Sequence, residues 1–146
     1  MKHMLAAAFA MAGLLGAAPV AAQEATTYSF DGSFEDATFA VENAIVNRGL
    51  VIDYRSHVGD MLNRTGEDVG SDKKIYDKAD VFLFCSAVLS RKVMEADPMN
   101  IAHCPYGIFV TDRDGKVMIG YRNLPDGPMD EVEKLLDEIA REAAEG

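Results

Sequence analysis

The sequence is poor in the residues and motifs that usually identify an activity. Its 146 residues include no tryptophan, two cysteines and three histidines. The spacings CxxC and HxxxH do not occur, and the lack of CxxCH excludes covalent attachment of a c-type haem. The motifs GxSxG, GxGxxG, HExxH and the phosphate-binding P-loop are also missing. No catalytic residue is therefore predicted, and we do not expect a hydrolytic enzyme.

Long apolar runs are scarce too, and the longest one lies at the N-terminus. Residues 5–18 are rich in Ala and Leu, but a membrane-spanning helix needs about 20 apolar residues. The run follows Lys2 and His3 and leads to small residues that end at Ala22. This pattern is typical of a secretory signal peptide rather than an uncleaved anchor. We expect residues 1–22 to be removed after Ala22, which would make the protein periplasmic or secreted, with no stable membrane insertion.

Positive charge is in short supply. The formal net charge is −10 at pH 7, and loss of Lys2 with the signal peptide makes it one unit more negative. An acidic surface repels nucleic acids and anionic membranes, so neither is expected as a partner. Cationic partners remain compatible with this charge, although acidic side chains more often simply keep a protein soluble.

The rest of the chain, residues 23–146, has the pattern of one domain. Strand-like runs and amphipathic segments alternate in the order β-α-β-(α)-β-α-β-β-α. The strands are expected at residues 26–30, 50–55, 81–85, 108–110 and 116–121. This order predicts an α+β fold, a single two-layer sandwich in which one sheet is covered by helices. The continuous apolar run 81–85 predicts a strand that is buried on both faces.

Local signals place the helices and the main loop. Ser33 and Asp36 form a capping-box pattern ahead of the first helix, and Ser86 can cap the helix over residues 87–96. The last helix is expected to begin near residues 126–128, with Pro128 at its first position. Residues 66–78 are polar, and we expect a long loop with one helical turn around Ile75 and Tyr76.

The two cysteines sit at the ends of predicted elements. Cys85 closes one strand, and Cys104 precedes the next. If these strands run parallel, a five-residue strand separates the thiols by roughly 17 Å, which exceeds disulfide reach. If the strands run antiparallel, or if residues 98–103 fold back along the sheet, the thiols meet. An oxidising compartment favours a disulfide between Cys85 and Cys104, so both outcomes remain open.

Three other side chains are candidates for a ligand site near Cys85. His103 is adjacent to Cys104, and His and Cys side chains suit copper, zinc or haem iron. Neighbouring residues in an extended chain point to opposite faces, however, so His103 and Cys104 would rarely share one ion. Tyr106 follows in the same segment. His57 ends the second strand, and a histidine side chain can serve as an axial ligand or handle protons.

Five short runs stand out along the chain: SFED at the first helix, NRGL at its end, VFLFCSA around Cys85, MEADP and CPY. Together these runs resemble the DUF302 family. Phe84-Cys85-Ser86-Ala87 and His103-Cys104-Pro105-Tyr106 are similar to an exported branch of the family. After the first cysteine, Ser86-Ala87 stands where the general pattern has Asn-Pro. Before the second cysteine, His103 stands where the general pattern has proline. The resemblance implies a compact α/β domain, commonly a homodimer, with no established reaction. It also implies that both cysteine positions recur in relatives without signal peptides.

Three functional hypotheses follow. The first is a periplasmic module that binds a metal, haem or small ligand near the end of the Cys85 strand. The second is a thiol–disulfide redox protein that uses Cys85 and Cys104. The third is an oligomeric accessory or assembly protein. The sequence identifies neither the cofactor nor the protein partner.

Overall fold

The computed structural model describes residues 24–146, so the predicted signal peptide lies outside the described residues. The strands are β1 (Ala25–Phe30), β2 (Ile52–Ser56), β3 (Lys78–Phe84), β4 (Tyr106–Arg113) and β5 (Lys116–Arg122). The α-helices are α1 (Phe34–Val46), α2 (Val58–Thr65), α3 (Ala87–Ala96) and α4 (Asp130–Glu145). This is the predicted order. No helix within residues 24–146 is long and apolar enough to cross a membrane.

The strands form one open sheet with the order β1-β5-β4-β3-β2, and every neighbouring pair is antiparallel. Helices α1 and α4 pack against each other and against the sheet. The α+β two-layer sandwich predicted from the sequence is therefore confirmed. The topology also answers the question left open by the sequence, because β3 and β4 run antiparallel.

The core lies between the sheet and these two helices. We call the sheet face that carries Ile108, Val110 and Ile119 the inner face, and all three side chains are fully buried. Burying an aliphatic side chain of this size stabilises a fold by about 2 kcal/mol. From the helices, Val41 and Ile139 complete the same cluster. Both residues lie on the buried side of the amphipathic helices that the sequence predicted.

The opposite sheet face, here called the outer face, carries Val81, Leu83, Phe109 and Met118, which are only half-buried. The expectation that the third strand is buried on both faces is therefore wrong. Alternate side chains of an antiparallel strand point to opposite faces, and the helices α1 and α4 cover only one of them. Val81 and Leu83, the half-buried apolar side chains of β3 on this face, do not belong to the core cluster.

The first helix is capped as the sequence predicts. The Asp36 backbone N–H donates to Ser33 Oγ at 3.1 Å, and the Ser33 backbone N–H donates to the Asp36 carboxylate at 3.3 Å. This reciprocal arrangement satisfies two backbone donors that a helix start leaves free. At the other end, Gly49 has φ +73°, a conformation that glycine adopts without strain.

Two local expectations are wrong. The last helix begins at Asp130, so Pro128 precedes it instead of occupying its first position. The loop after α2 contains a 3-10 turn at Glu67–Val69 and none at Ile75–Tyr76. The Asp77 backbone N–H donates to the Asp112 carbonyl at 2.9 Å, which extends the chain towards β3. Because Asp77 is already hydrogen-bonded to the neighbouring strand, the residues just before it do not form a helical turn.

Candidate functional site

The sheet register brings the two cysteines together. Phe84 pairs with Tyr106 at the last position of the β3–β4 ladder, so Cys85 leaves the sheet where the Cys104–Pro105 segment enters it. Their Sγ atoms are 2.9 Å apart, although the residues are 19 positions apart in sequence. A 3-10 segment, Pro98–His103, returns the chain from α3 to this point. The antiparallel arrangement and the fold-back considered from the sequence are both present.

Hydroxyl groups border the thiol pair on the side of Cys104. Ser90 of α3 lies with its Oγ 3.9 Å from the Cys104 Sγ and 3.0 Å from the Tyr106 hydroxyl. Tyr106 itself is 2 % exposed and packs edge-on against Phe84, with ring centroids 6.4 Å apart. Tyr106 is therefore a core residue whose hydroxyl reaches the thiol site through Ser90.

The environment of Cys85 stabilises its protonated form. Burial raises the pKa of Cys85 to about 12, and the hydrogen bond with Cys104 and the nearby charge of Asp53 act in the same direction. The Tyr106 backbone N–H opposes this by donating to the sulfur, which favours the thiolate. Burial also raises the pKa of the Tyr106 hydroxyl. Both Cys85 and Cys104 are half-buried.

His103 lies beside the thiol pair without joining it. Its Nδ1 atom is buried and is the one buried side-chain nitrogen or oxygen within residues 24–146 that has no hydrogen-bond partner. The part of the chain that the structure describes contains no group of three or more His, Cys, Asp or Glu side chains that could hold a metal ion. The adjacency of His103 and Cys104 thus does not assemble a metal centre.

His57 lies away from the other candidates. Ile52 of β2 pairs with Phe84 and Ser56 pairs with Val81, so His57 follows β2 at the sheet end opposite Cys85. Its Nδ1 lies 2.8 Å from Oδ1 of Asp80. His57 therefore cannot line a site near Cys85, which corrects the ligand set expected from the sequence. His57 and Cys85 each follow the C-terminal end of a strand. These two strand ends would lie side by side only if β2 and β3 were parallel, whereas they are antiparallel.

Asp80 is the centre of a charged cluster at that opposite end. Its side chain is 6 % exposed, and its Oδ2 accepts from Arg55 Nε at 2.8 Å and from Arg55 Nη2 at 2.7 Å. The guanidinium also lies 4.8 Å from the centroid of the Phe82 ring. A buried carboxylate requires such partners because its desolvation is costly. An ionised carboxylate has no proton to donate, so beside the Arg55 guanidinium Asp80 acts as the acceptor and Nδ1 of His57 as the donor.

Comparison with known proteins identifies the family. A family model described as "Domain of unknown function DUF302" matches residues 25–145. The chain belongs to the DUF302 family. A crystal structure of an uncharacterized conserved DUF302 protein from Bacillus stearothermophilus is similar, with a TM-score of 0.68 and 15 % identity over 84 % of this chain and 99 % of that chain. At this identity the similarity shows the fold alone. No curated protein matches.

Sequence reasoning missed two features of this DUF302 domain. Asp80 was overlooked although a carboxylate next to the apolar run Val81–Phe84 signals a buried charge that needs a partner. Ser90 was overlooked because its neighbours Cys104 and Tyr106 are distant in sequence, and no local pattern places a serine hydroxyl beside a thiol.

Proposed function

We propose that this DUF302 protein is exported and that Cys85 and Cys104 interconvert between dithiol and disulfide by thiol–disulfide exchange. The observation that carries the proposal is the 2.9 Å separation of the two Sγ atoms. Both residues are half-buried, so a disulfide of a second molecule can approach the sulfurs. An exported chain meets the oxidising conditions in which such a pair functions.

The reaction takes place in two displacements. One thiol loses its proton, and its sulfur attacks a disulfide of the partner to form a mixed disulfide and release one partner thiolate. The second cysteine loses its proton and attacks the first cysteine's sulfur, which releases the other partner thiolate. Cys85 and Cys104 together lose two electrons and two protons, and the partner disulfide becomes a dithiol. Reduction is the reverse.

The two thiols are not equivalent. The thiolate is the attacking species, and the raised pKa keeps Cys85 protonated at neutral pH. We therefore assign the first attack to Cys104 and the closing step to Cys85. Tyr106 contributes its backbone N–H to the Cys85 sulfur, which stabilises the thiolate that the closing step requires.

Alkylation of the two thiols tests the proposal directly. The protein is isolated from the periplasm, denatured with an alkylating reagent present, and weighed by mass spectrometry with and without prior reduction. We expect two labels after reduction and none before it. Incubation of the reduced protein with glutathione disulfide should then restore the unlabelled form.

Single-cysteine variants supply the controls. A Cys85→Ser protein retains Cys104 and should accumulate a mixed disulfide with glutathione at neutral pH, whereas Cys104→Ser should react more slowly. Two labels on the unreduced protein, together with no disulfide after treatment with glutathione disulfide, would contradict the proposal.

Export and homodimer formation complete the proposal. Cleavage after Ala22 gives a protein whose first residue is Gln23. The intact mass of the protein purified from the periplasm identifies this first residue. Light scattering during size exclusion measures the expected homodimer. The hypothesis of a metal ion held by three or more side chains has less support, because within residues 24–146 no such group of His, Cys, Asp or Glu comes together.

A further inference from the structure

We infer that a groove on the outer face binds a small amphipathic monocarboxylate, a molecule with an apolar chain and one carboxylate. This inference concerns a different surface from the thiol pair and does not depend on the proposed redox function. It starts from the apolar side chains of β3 that face away from the core.

The groove has a volume of about 700 Å³. Val81 and Leu83 of β3 and Phe109 of β4 line it along the sheet, and Pro105 lines it just before the start of β4. Gly107 of β4 pairs with Leu83, and a Cβ at Gly107 would sit 3.4 Å from both Leu83 Cδ2 and Val81 Cγ1. Small-molecule sites are typically concave, mostly apolar and roughly 300–1,000 Å³ in volume. The groove has this size and this apolar lining.

Arg122 supplies the charge at one end of the groove. It is exposed, it lines the groove, and among the described residues no carboxylate lies within salt-bridge distance of it. Arginines on the helical side differ: Arg48 lies 2.7 Å from Glu142, and Arg141 is paired with Asp137. A guanidinium without a partner binds a carboxylate through two parallel hydrogen bonds. The charge therefore favours an anionic head group.

His103 adds a polar group to the same groove. His103 lines the groove, and a proton on its buried Nδ1 would have no acceptor among the described residues. An unpaired buried donor is costly, so the arrangement favours a proton on Nε2 over one on Nδ1. This leaves Nε2 as the nitrogen that can donate to a ligand.

Glu24 opposes the binding of an anion. It lies on the groove near Arg122 and carries a charge of the same sign as the ligand. Because like charges repel, removal of this carboxylate should strengthen binding, whereas removal of Arg122 should weaken it. This opposite response separates charge recognition from simple apolar adsorption.

Calorimetric titration with decanoate tests the inference, with decanol and decylamine as probes that keep the chain and change the head group. We expect one decanoate per chain, and weaker binding of decanol and of decylamine. Arg122→Gln should weaken decanoate binding about tenfold, which equals about 1.4 kcal/mol, a usual value for a charged hydrogen bond. Glu24→Gln should strengthen binding by a smaller factor.

Lys116→Gln is the matched control, because Lys116 is also an exposed cation of β5 without an ion-pair partner among the described residues, but it does not line the groove. Its affinity for decanoate should equal that of the unmodified protein. Equal binding of decanoate and decanol, or an unchanged affinity in Arg122→Gln, would overturn the inference. So would dissociation of a dimer by decanoate in light scattering, since the groove would then belong to an interface between copies.

Discussion

The two ends of β3 differ in how completely their polar groups are satisfied. Near its start, Asp80 is buried and both of its oxygens have fixed partners, Arg55 and His57. Just past its end, the sulfur of Cys85 lies beside that of Cys104, and both residues are half-buried. In the function proposed above the thiol end changes between dithiol and disulfide, whereas the charged end keeps one arrangement. The same strand thus carries a fully paired charged cluster at one end and a pair of free thiols at the other.

The largest expected effect comes from breaking the charged end. Asp80→Asn keeps the side-chain size but removes the charge that pairs with Arg55 and changes one of the oxygens that Arg55 and His57 contact. Loss of Asp80 from the pair leaves Arg55 uncompensated. Because the Arg55 side chain is 34 % exposed, the free energy of unfolding should fall by about 3.5 kcal/mol, in the lower part of the usual range for buried pairs. Chemical denaturation measures this change.

An exposed pair provides the control for Asp80. Arg91 and Glu95 are four residues apart on α3, with Nε and Oε1 2.8 Å apart and both side chains exposed. Glu95→Gln should change stability by less than about 0.5 kcal/mol. If Asp80→Asn lowers the free energy of unfolding no more than Glu95→Gln does, the charged cluster around Asp80 does not contribute to the stability of the fold.

Oxidation of the thiol end should produce the next largest effect. A disulfide between Cys85 and Cys104 closes a loop whose ends are 19 positions apart. Closure of a loop of this order restricts the unfolded chain and stabilises the native state by about 3 kcal/mol. Denaturation of the oxidised and reduced proteins measures the difference. Cys85→Ser should show one midpoint with and without reductant, and a difference that persists in this variant would assign the effect to something else.

The sequence predicted the element order and the two-layer α+β class because both depend on local patterns. The capping pair Ser33 and Asp36, the cap Ser86 and the apolar stripes of the long helices all act within a few residues. The start of α4 was misplaced because Pro128 also fits the turn that precedes a helix. Such errors shift an element by two residues without changing the sheet.

The site was less predictable because it depends on contacts that are distant in sequence. The distance between Cys85 and Cys104 follows from the direction of β4 relative to β3, which no local pattern specifies. For the same reason His57 was grouped with the thiols, although the antiparallel register of β2 places it beside Asp80. Residue types indicated the chemistry, and topology decided which residues share a site.

High pH should distinguish the two oxidation states of the thiol end. Burial raises the pKa of Cys85 to about 12 in the folded dithiol, above the ordinary value of 9.0. The folded state therefore holds this proton more tightly, so its stabilising contribution is complete below pH 9 and is lost as the pH rises towards 12.

The disulfide form lacks this proton and is the control. Tyr121, whose pKa burial raises to about 12, titrates in both forms and cancels in the comparison. The oxidised protein should therefore gain stability relative to the reduced protein between pH 9 and pH 12. A constant difference across this range would mean that Cys85 is not shielded from water.

The smallest expected effect concerns the hydroxyl pair that borders the thiols. Ser90→Ala removes the 3.0 Å contact with the Tyr106 hydroxyl, and Tyr106→Phe removes the same contact from the other side. Each should lower the free energy of unfolding by about 1 kcal/mol, a typical net value for one hydrogen bond. Because the two substitutions delete one interaction, the double variant should cost clearly less than the sum of the single variants. Additive losses would show that the hydroxyls do not interact in solution. The thiol end would then have no fixed side-chain hydrogen bond between Ser90 and Tyr106, in contrast to the charged end, where both oxygens of Asp80 are hydrogen-bonded.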